Sequence, residues 1–140
     1  MAGAVPLYTT DSQTFEVSAA VTGGQLVVPT TGGKIGPAGL TANTVIGVAR
    51  KDAIPTATNQ NPTGSIMLSP VSQYTAVAAH GTWSLKAAAA ITFGQTVKAG
   101  ATGQVAVWVS GTDAADTIVG RCVEPLGIAS GAFGAIRLNL

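Results

Sequence analysis

Short apolar runs, bounded by Gly, Pro, Asn or Asp, recur along the whole chain. Segments 15–20 and 25–28 are separated by Thr22-Gly23-Gly24, and 45–50, 71–77, 82–86, 105–109, 118–123 and 135–140 follow. Each is rich in Val, Ile, Thr or aromatics, residues that fit a pleated and half-buried surface. Eight such strands with turn signals between them predict an all-β or β-dominated fold, a small barrel-like or β-tulip-type domain. One stretch competes. Residues 86–91 read KAAAAI, and alanine favours helix, yet so short a run cannot stand alone; it predicts one or two helical turns packed by their neighbours.

Three segments break the pattern. Residues 1–14 are apolar but unperiodic, with Pro6 forbidding helix around it, and predict an extended N-terminal arm ahead of a single domain at 15–140. Residues 30–43 are turn-rich. Residues 52–65 are polar with two prolines, a loop long enough in a small domain to be functional or mobile. Two halves, about 22–51 and 92–124, also echo one another. Gly24-Gln25-Leu26-Val27 answers Gly94-Gln95-Thr96-Val97, and Thr44-Val45-Ile46-Gly47-Val48-Ala49 answers Thr117-Ile118-Val119-Gly120-Arg121-Cys122. The glycine inside that second motif points to a bulge or a bend at a barrel corner.

Charge changes the picture most. Asp, Glu, Lys and Arg make up only 9% of the 140 residues, against about 25% in ordinary soluble domains, and the net charge is +1. Mean hydropathy is +0.41, while aromatics are 5%. A surface so thinly charged needs either Thr, Ser, Gln and Asn to solvate it or other chains to cover it, and both are expected here. Near-neutrality recommends neither nucleic acid nor an anionic membrane as partner. Gly, Thr, Ser and Pro interrupt every apolar stretch before it reaches spanning length. The first residues lack a cationic and apolar leader, so synthesis and folding in a cytoplasm are expected.

Candidate chemistry is sparse. Cys122 has no second cysteine to pair with and reads as a small buried strand residue. One His and one Cys cannot build a zinc site, and no metal or other cofactor is expected. His80, in Ala78-Ala79-His80-Gly81, reads as an exposed histidine at a hairpin turn rather than part of a catalytic triad. Asp113 and Asp116 lack the further oxygen ligands of a calcium loop and read as a solvated turn. Neither phosphate-binding glycine signature is present. An enzyme is not expected. Trp83 and Trp108 stand in predicted strands, where core packing, a subunit interface and a sugar-binding face are all open to them.

The order of parts resembles the lambda-like head decoration proteins of tailed bacteriophages and the related Gly/Ala/Val-rich capsid cement proteins. The residues that carry the likeness are Gly24-Gln25-Leu26-Val27-Val28, then Val45-Ile46-Gly47-Val48-Ala49, then Gly81-Thr82-Trp83-Ser84-Leu85 with its alanine-rich sequel. Ile91 through Val97, Gly103-Gln104-Val105, Ile118 through Val123 and the terminal Ala135 through Leu140 complete it over residues 15–140. The 52–65 loop departs from it, being longer and more polar than the usual connection. What the resemblance implies is a homotrimeric cement protein on the exterior of a virion. It would bind the major capsid protein of an assembled, expanded head and stabilise the head by bridging capsomers. The arm contacts that such proteins make would fall to Val5, Pro6, Leu7, Tyr8, Thr9 and Thr10, and subunit contacts to Trp83 and Trp108. The rival expectations are another self-assembling virion or surface subunit, and a β-sandwich module that binds carbohydrate.

Overall fold

A computed structural model of the chain describes residues 12–55 and 72–140. They form two five-stranded antiparallel sheets. The first sheet contains β1 (Ser12–Glu16), β2 (Leu26–Pro29), β3 (Ile35–Pro37), β4 (Gly47–Ala49) and β5 (Tyr74–Ala78), in the order β1-β5-β4-β2-β3. The second contains β6 (His80–Lys86), β7 (Thr96–Ala99), β8 (Val105–Val107), β9 (Ile118–Cys122) and β10 (Phe133–Asn139), in the order β6-β10-β9-β7-β8. The β-dominated fold is as the sequence pattern predicts. The sheets stay open and no closed barrel forms.

The two sheets share one connectivity. In each, the first strand pairs with the last, a tight turn leads into the second strand, and a short 3-10 turn joins the second strand to the third. Local hydrogen bonds match as well. Thr22 N–H donates to Gln25 Oε1, and Thr92 N–H donates to Gln95 Oε1, both at 2.8 Å. Gly24 N–H reaches the Ala49 carbonyl (2.7 Å) as Gly94 N–H reaches that of Cys122 (2.9 Å). The correspondence extends past 22–51 and 92–124 to β1 and β5 at one end and β6 and β10 at the other.

Several expectations need correction. Ser12, Gln13 and Thr14, expected in an extended arm, belong to β1 and pair with β5. The 86–91 stretch is not helical: Lys86 ends β6, Ala87 bridges to Val105 and Ile91 bridges to Ile128. Tertiary bridges override the helical preference of a short alanine run. His80 is not at a hairpin turn. It opens β6, and Ala79 is all that separates the last strand of one sheet from the first of the other. The turn-rich 30–43 segment holds the short strand β3, too brief for periodicity to reveal. Residues 1–11 and 56–71, which include Val5 through Thr10 and most of the 52–65 loop, lie outside the described residues.

Glycine is required where the corresponding β4 and β9 motifs pass their neighbours. A Cβ on Gly47 would meet the Ala78 carbonyl, and one on Gly120 would meet the Arg137 carbonyl oxygen. The register also slips beside Gly120, where Val97 faces Gly120 and Lys98 faces Ile118, leaving Val119 as the extra residue of a bulge. The glycine therefore marks a bulge and a close approach of two backbones rather than a barrel corner.

Candidate functional site

Cross-strand register fixes which side chains share a face. In the first sheet Leu26 pairs with Val48 and Val48 with Ala78, so these three point to one side. In the second, Ile136 pairs with Trp83 and Cys122, with Leu85 and Leu138 two residues away on the same side. All but the half-buried Trp83 are buried, and together they form the cluster that joins the sheets. The opposite face of the first sheet, with Val27, Ala49 and Val77, builds a smaller cluster of its own with Val17, Val21, Ile35 and Ala53. The packing is thus front to back: the second sheet lays its front against the back of the first.

Front-to-back packing leaves two faces that no other described strand covers. The first is the front of the first sheet, where a groove of about 530 Å³ is lined by Gln13, Phe15, Ile35, Ile46, Val77 and Ala79 among others. Register equates these residues with Trp83, Leu85, Val105, Val119, Ile136 and Leu138 of the second sheet, which the joined core takes in. The groove is therefore the counterpart of a surface that, in the second sheet, is already in use. It is mostly apolar, with Lys34 held at its edge by Glu16 (3.0 Å). The second uncovered face is the back of the second sheet, where Thr96, Arg121 and Arg137 occupy the positions of Leu26, Val48 and Ala78.

A third feature lies at one end of the second sheet. Phe93 and Leu126 flank the Ile91–Ile128 bridge on adjacent turns, and Phe133 opens β10 at the same end. They are 64%, 98% and 63% exposed, an unusual outlay for large apolar side chains in so small a protein. The corresponding end of the first sheet is polar by comparison. Gly23 stands where Phe93 does, and its N–H donates to Asp52 Oδ1 at 2.8 Å beside exposed Lys51.

The residues singled out from sequence are dispersed. Trp83 lies on β6, packs against the joined core, and donates its indole N–H to the His80 carbonyl at 2.7 Å, with the Arg50 guanidinium 5.7 Å from its ring. Trp108 follows β8, half-buried, and its indole N–H donates to the Ala114 carbonyl at 3.0 Å. The structure does not bring the two together in one site. Cys122 is buried in β9, as expected of a small apolar strand residue. Asp113 is an ion-pair residue: its Oδ1 lies 2.5 Å from Lys98 Nζ and its Oδ2 accepts the Val109 N–H at 2.7 Å. The Lys98 hydrogen bond, then that of Val109, holds its carboxyl below the ordinary value of 3.8. Asp116 accepts from Asn43 Nδ2 at 3.3 Å. No group of three His, Cys, Asp or Glu side chains that could hold a metal occurs among the described residues, and no described helix is long and apolar enough to cross a membrane.

Sequence reasoning missed the groove and the apolar end. The groove needs the sheet order, because β1, β3 and β5 come together only through pairing. The signal for Arg121 was present, since the echoed motifs set it against Val48.

No protein-family model matches the sequence, and a search of curated proteins finds no match. Among solved structures the chain is similar to the N base of the head fiber gp8.5 of bacteriophage phi29. The likeness covers 91% of this chain and 92% of that one, with a TM-score of 0.64 and 19% sequence identity. At that identity the likeness is one of fold.

Proposed function

We propose that this chain is a structural protein of a phage head, a decoration protein that binds the outside of the assembled shell and performs no reaction. The observation that carries the reading is the fold shared with a head fiber base over nearly the whole of both chains. Two others support it: a chain with only 9% charged residues, and large apolar side chains exposed at Phe93, Leu126 and Phe133. Such a surface is best served by contact with other polypeptides.

The mechanism is differential binding. A protein that binds assembled shell but not separated capsomers stabilises the shell by mass action. Attachment as a homotrimer multiplies weak contacts without adding new ones to each subunit. In this reading the apolar end and Val5 through Thr10 meet the major capsid protein, and Trp83 and Trp108 lie near the contacts between subunits. The neighbour's own role favours a second reading, in which the chain is the base that anchors a fibre to the head.

Purified chain added to expanded heads that lack it is expected to bind them and to raise the temperature at which they break open. Replacing Phe93, Leu126 and Phe133 with serine should abolish binding while leaving the fold intact by circular dichroism. No binding to heads across salt and temperature sinks the decoration reading. Binding without any gain in head stability favours the fibre base.

A further inference from the structure

We infer that the back of the second sheet, around Arg121 and Arg137, is a docking surface for a carboxylate-bearing extended segment of a partner protein. Arg121 on β9 and Arg137 on β10 stand directly opposite each other, so their side chains leave the sheet about 5 Å apart. Both are exposed. Like charges so placed repel, and Thr or Gln would solvate the face without that repulsion. A chain with only seven Lys and Arg in all nevertheless sets two of them side by side here.

No acid within the described residues offsets the pair, because each described carboxylate is engaged elsewhere. Glu16 holds Lys34, and Asp113 holds Lys98. Asp52 accepts from Gly23 N–H, Asp116 from Asn43, and Glu124 turns to Ala135 N–H at 3.1 Å. Two guanidinium groups are left facing outward with their donors unspent on any described carboxylate.

The same face offers room and a mixed lining. A groove of about 410 Å³ runs there, with apolar Ile118 and Val123 beside polar Thr96 and Asn139. Alternate side chains of an extended peptide lie on one side about 7 Å apart. Carboxylates at alternate positions therefore fall within reach of both arginines, each able to take one in a bidentate fork. Apolar residues between or beside them would meet Ile118 and Val123. A nucleic acid fits less well, since the net charge is +1 and no described aromatic ring lines the groove for bases to stack on.

This surface is independent of the head-binding reading and is tested without heads. The full chain, isotope-labelled, is titrated with short poly-L-glutamate and, separately, with oligothymidylate of equal charge. Saturable NMR shifts are expected at the Arg121 and Arg137 side-chain N–H groups and at the Thr96 and Asn139 amides. Affinity should fall about tenfold in Arg121→Gln and again in Arg137→Gln. Both variants should keep the wild-type Tm or exceed it by about 1–3 °C, because a repulsive pair is relieved. The inference is overturned by the absence of saturable shifts, by shifts no larger there than at Lys51 and Lys86, by tighter binding of oligothymidylate, or by a clear fall in Tm, which would make the arginines part of the fold.

Discussion

The first and second sheets have one connectivity and opposite surfaces. At three register-equivalent positions on the back, the first sheet carries Leu26, Val48 and Ala78 and the second carries Thr96, Arg121 and Arg137. At equivalent positions on the front, the first carries Gln13 and Phe15 and the second carries Trp83 and Leu85. One backbone plan thus accepts either an apolar back that another sheet covers or a cationic back that stays exposed. Front-to-back contacts can in principle repeat from molecule to molecule and give open filaments. Arginines on the last back face would oppose such a contact, because a second copy's apolar groove would have to bury two charges that no described carboxylate pairs.

The most far-reaching test converts the second back into the first. The triple variant Thr96→Leu, Arg121→Val, Arg137→Ala should associate head to tail, seen as light scattering that grows with concentration. Adding Ile46→Lys in the groove should abolish the association. Scattering that persists would mean nonspecific stickiness and would break the comparison. Next in size is Gly120→Ala, which sets a Cβ against the Arg137 carbonyl and should cost about 3 kcal/mol or more by urea unfolding. Gly47→Ala, the equivalent change against Ala78, should behave alike.

A smaller contrast sharpens the difference between the fronts. Leu85→Ala in the joined core should cost about 3 kcal/mol, and its counterpart Phe15→Ala in the groove about 1 kcal/mol. Equal losses would show that the groove is covered in solution. The smallest effect concerns Lys98–Asp113, where the first sheet carries Val28 at the position of Lys98. Because the folded carboxyl titrates below its ordinary value of 3.8, its stabilisation is complete above that value and is lost as pH falls through the lower folded one. Asp113→Asn should therefore be less stable than wild type near neutrality, and the two should converge below about pH 4 by thermal unfolding. A constant gap down to pH 2 would mean that the pair contributes through shape rather than charge.

Strand content was legible because Val, Ile and Thr clusters between turn formers leave the chain little else to become. Eight strands were placed to within a few residues, while β3 was too brief to register and β7 appeared only as the echo of Gly24 through Val27. The alanines after Lys86 misled for the opposite reason: their local preference was real, but bridges from Ala87 and Ile91 outweigh it. Gly120 was identified as special from sequence, and the structure supplies the reason, a carbonyl where its side chain would stand.

Composition and local pattern by themselves determined that this would be a sheet protein with a thinly charged surface and sparse titratable chemistry, since those depend on residues and their near neighbours. Which face of each sheet is covered was decided only by the tertiary structure. A strand's alternation says that two faces exist, but not which of them another sheet will meet; that depends on pairings between residues far apart in the chain, such as Gln13 with Val77 and Arg121 with Arg137.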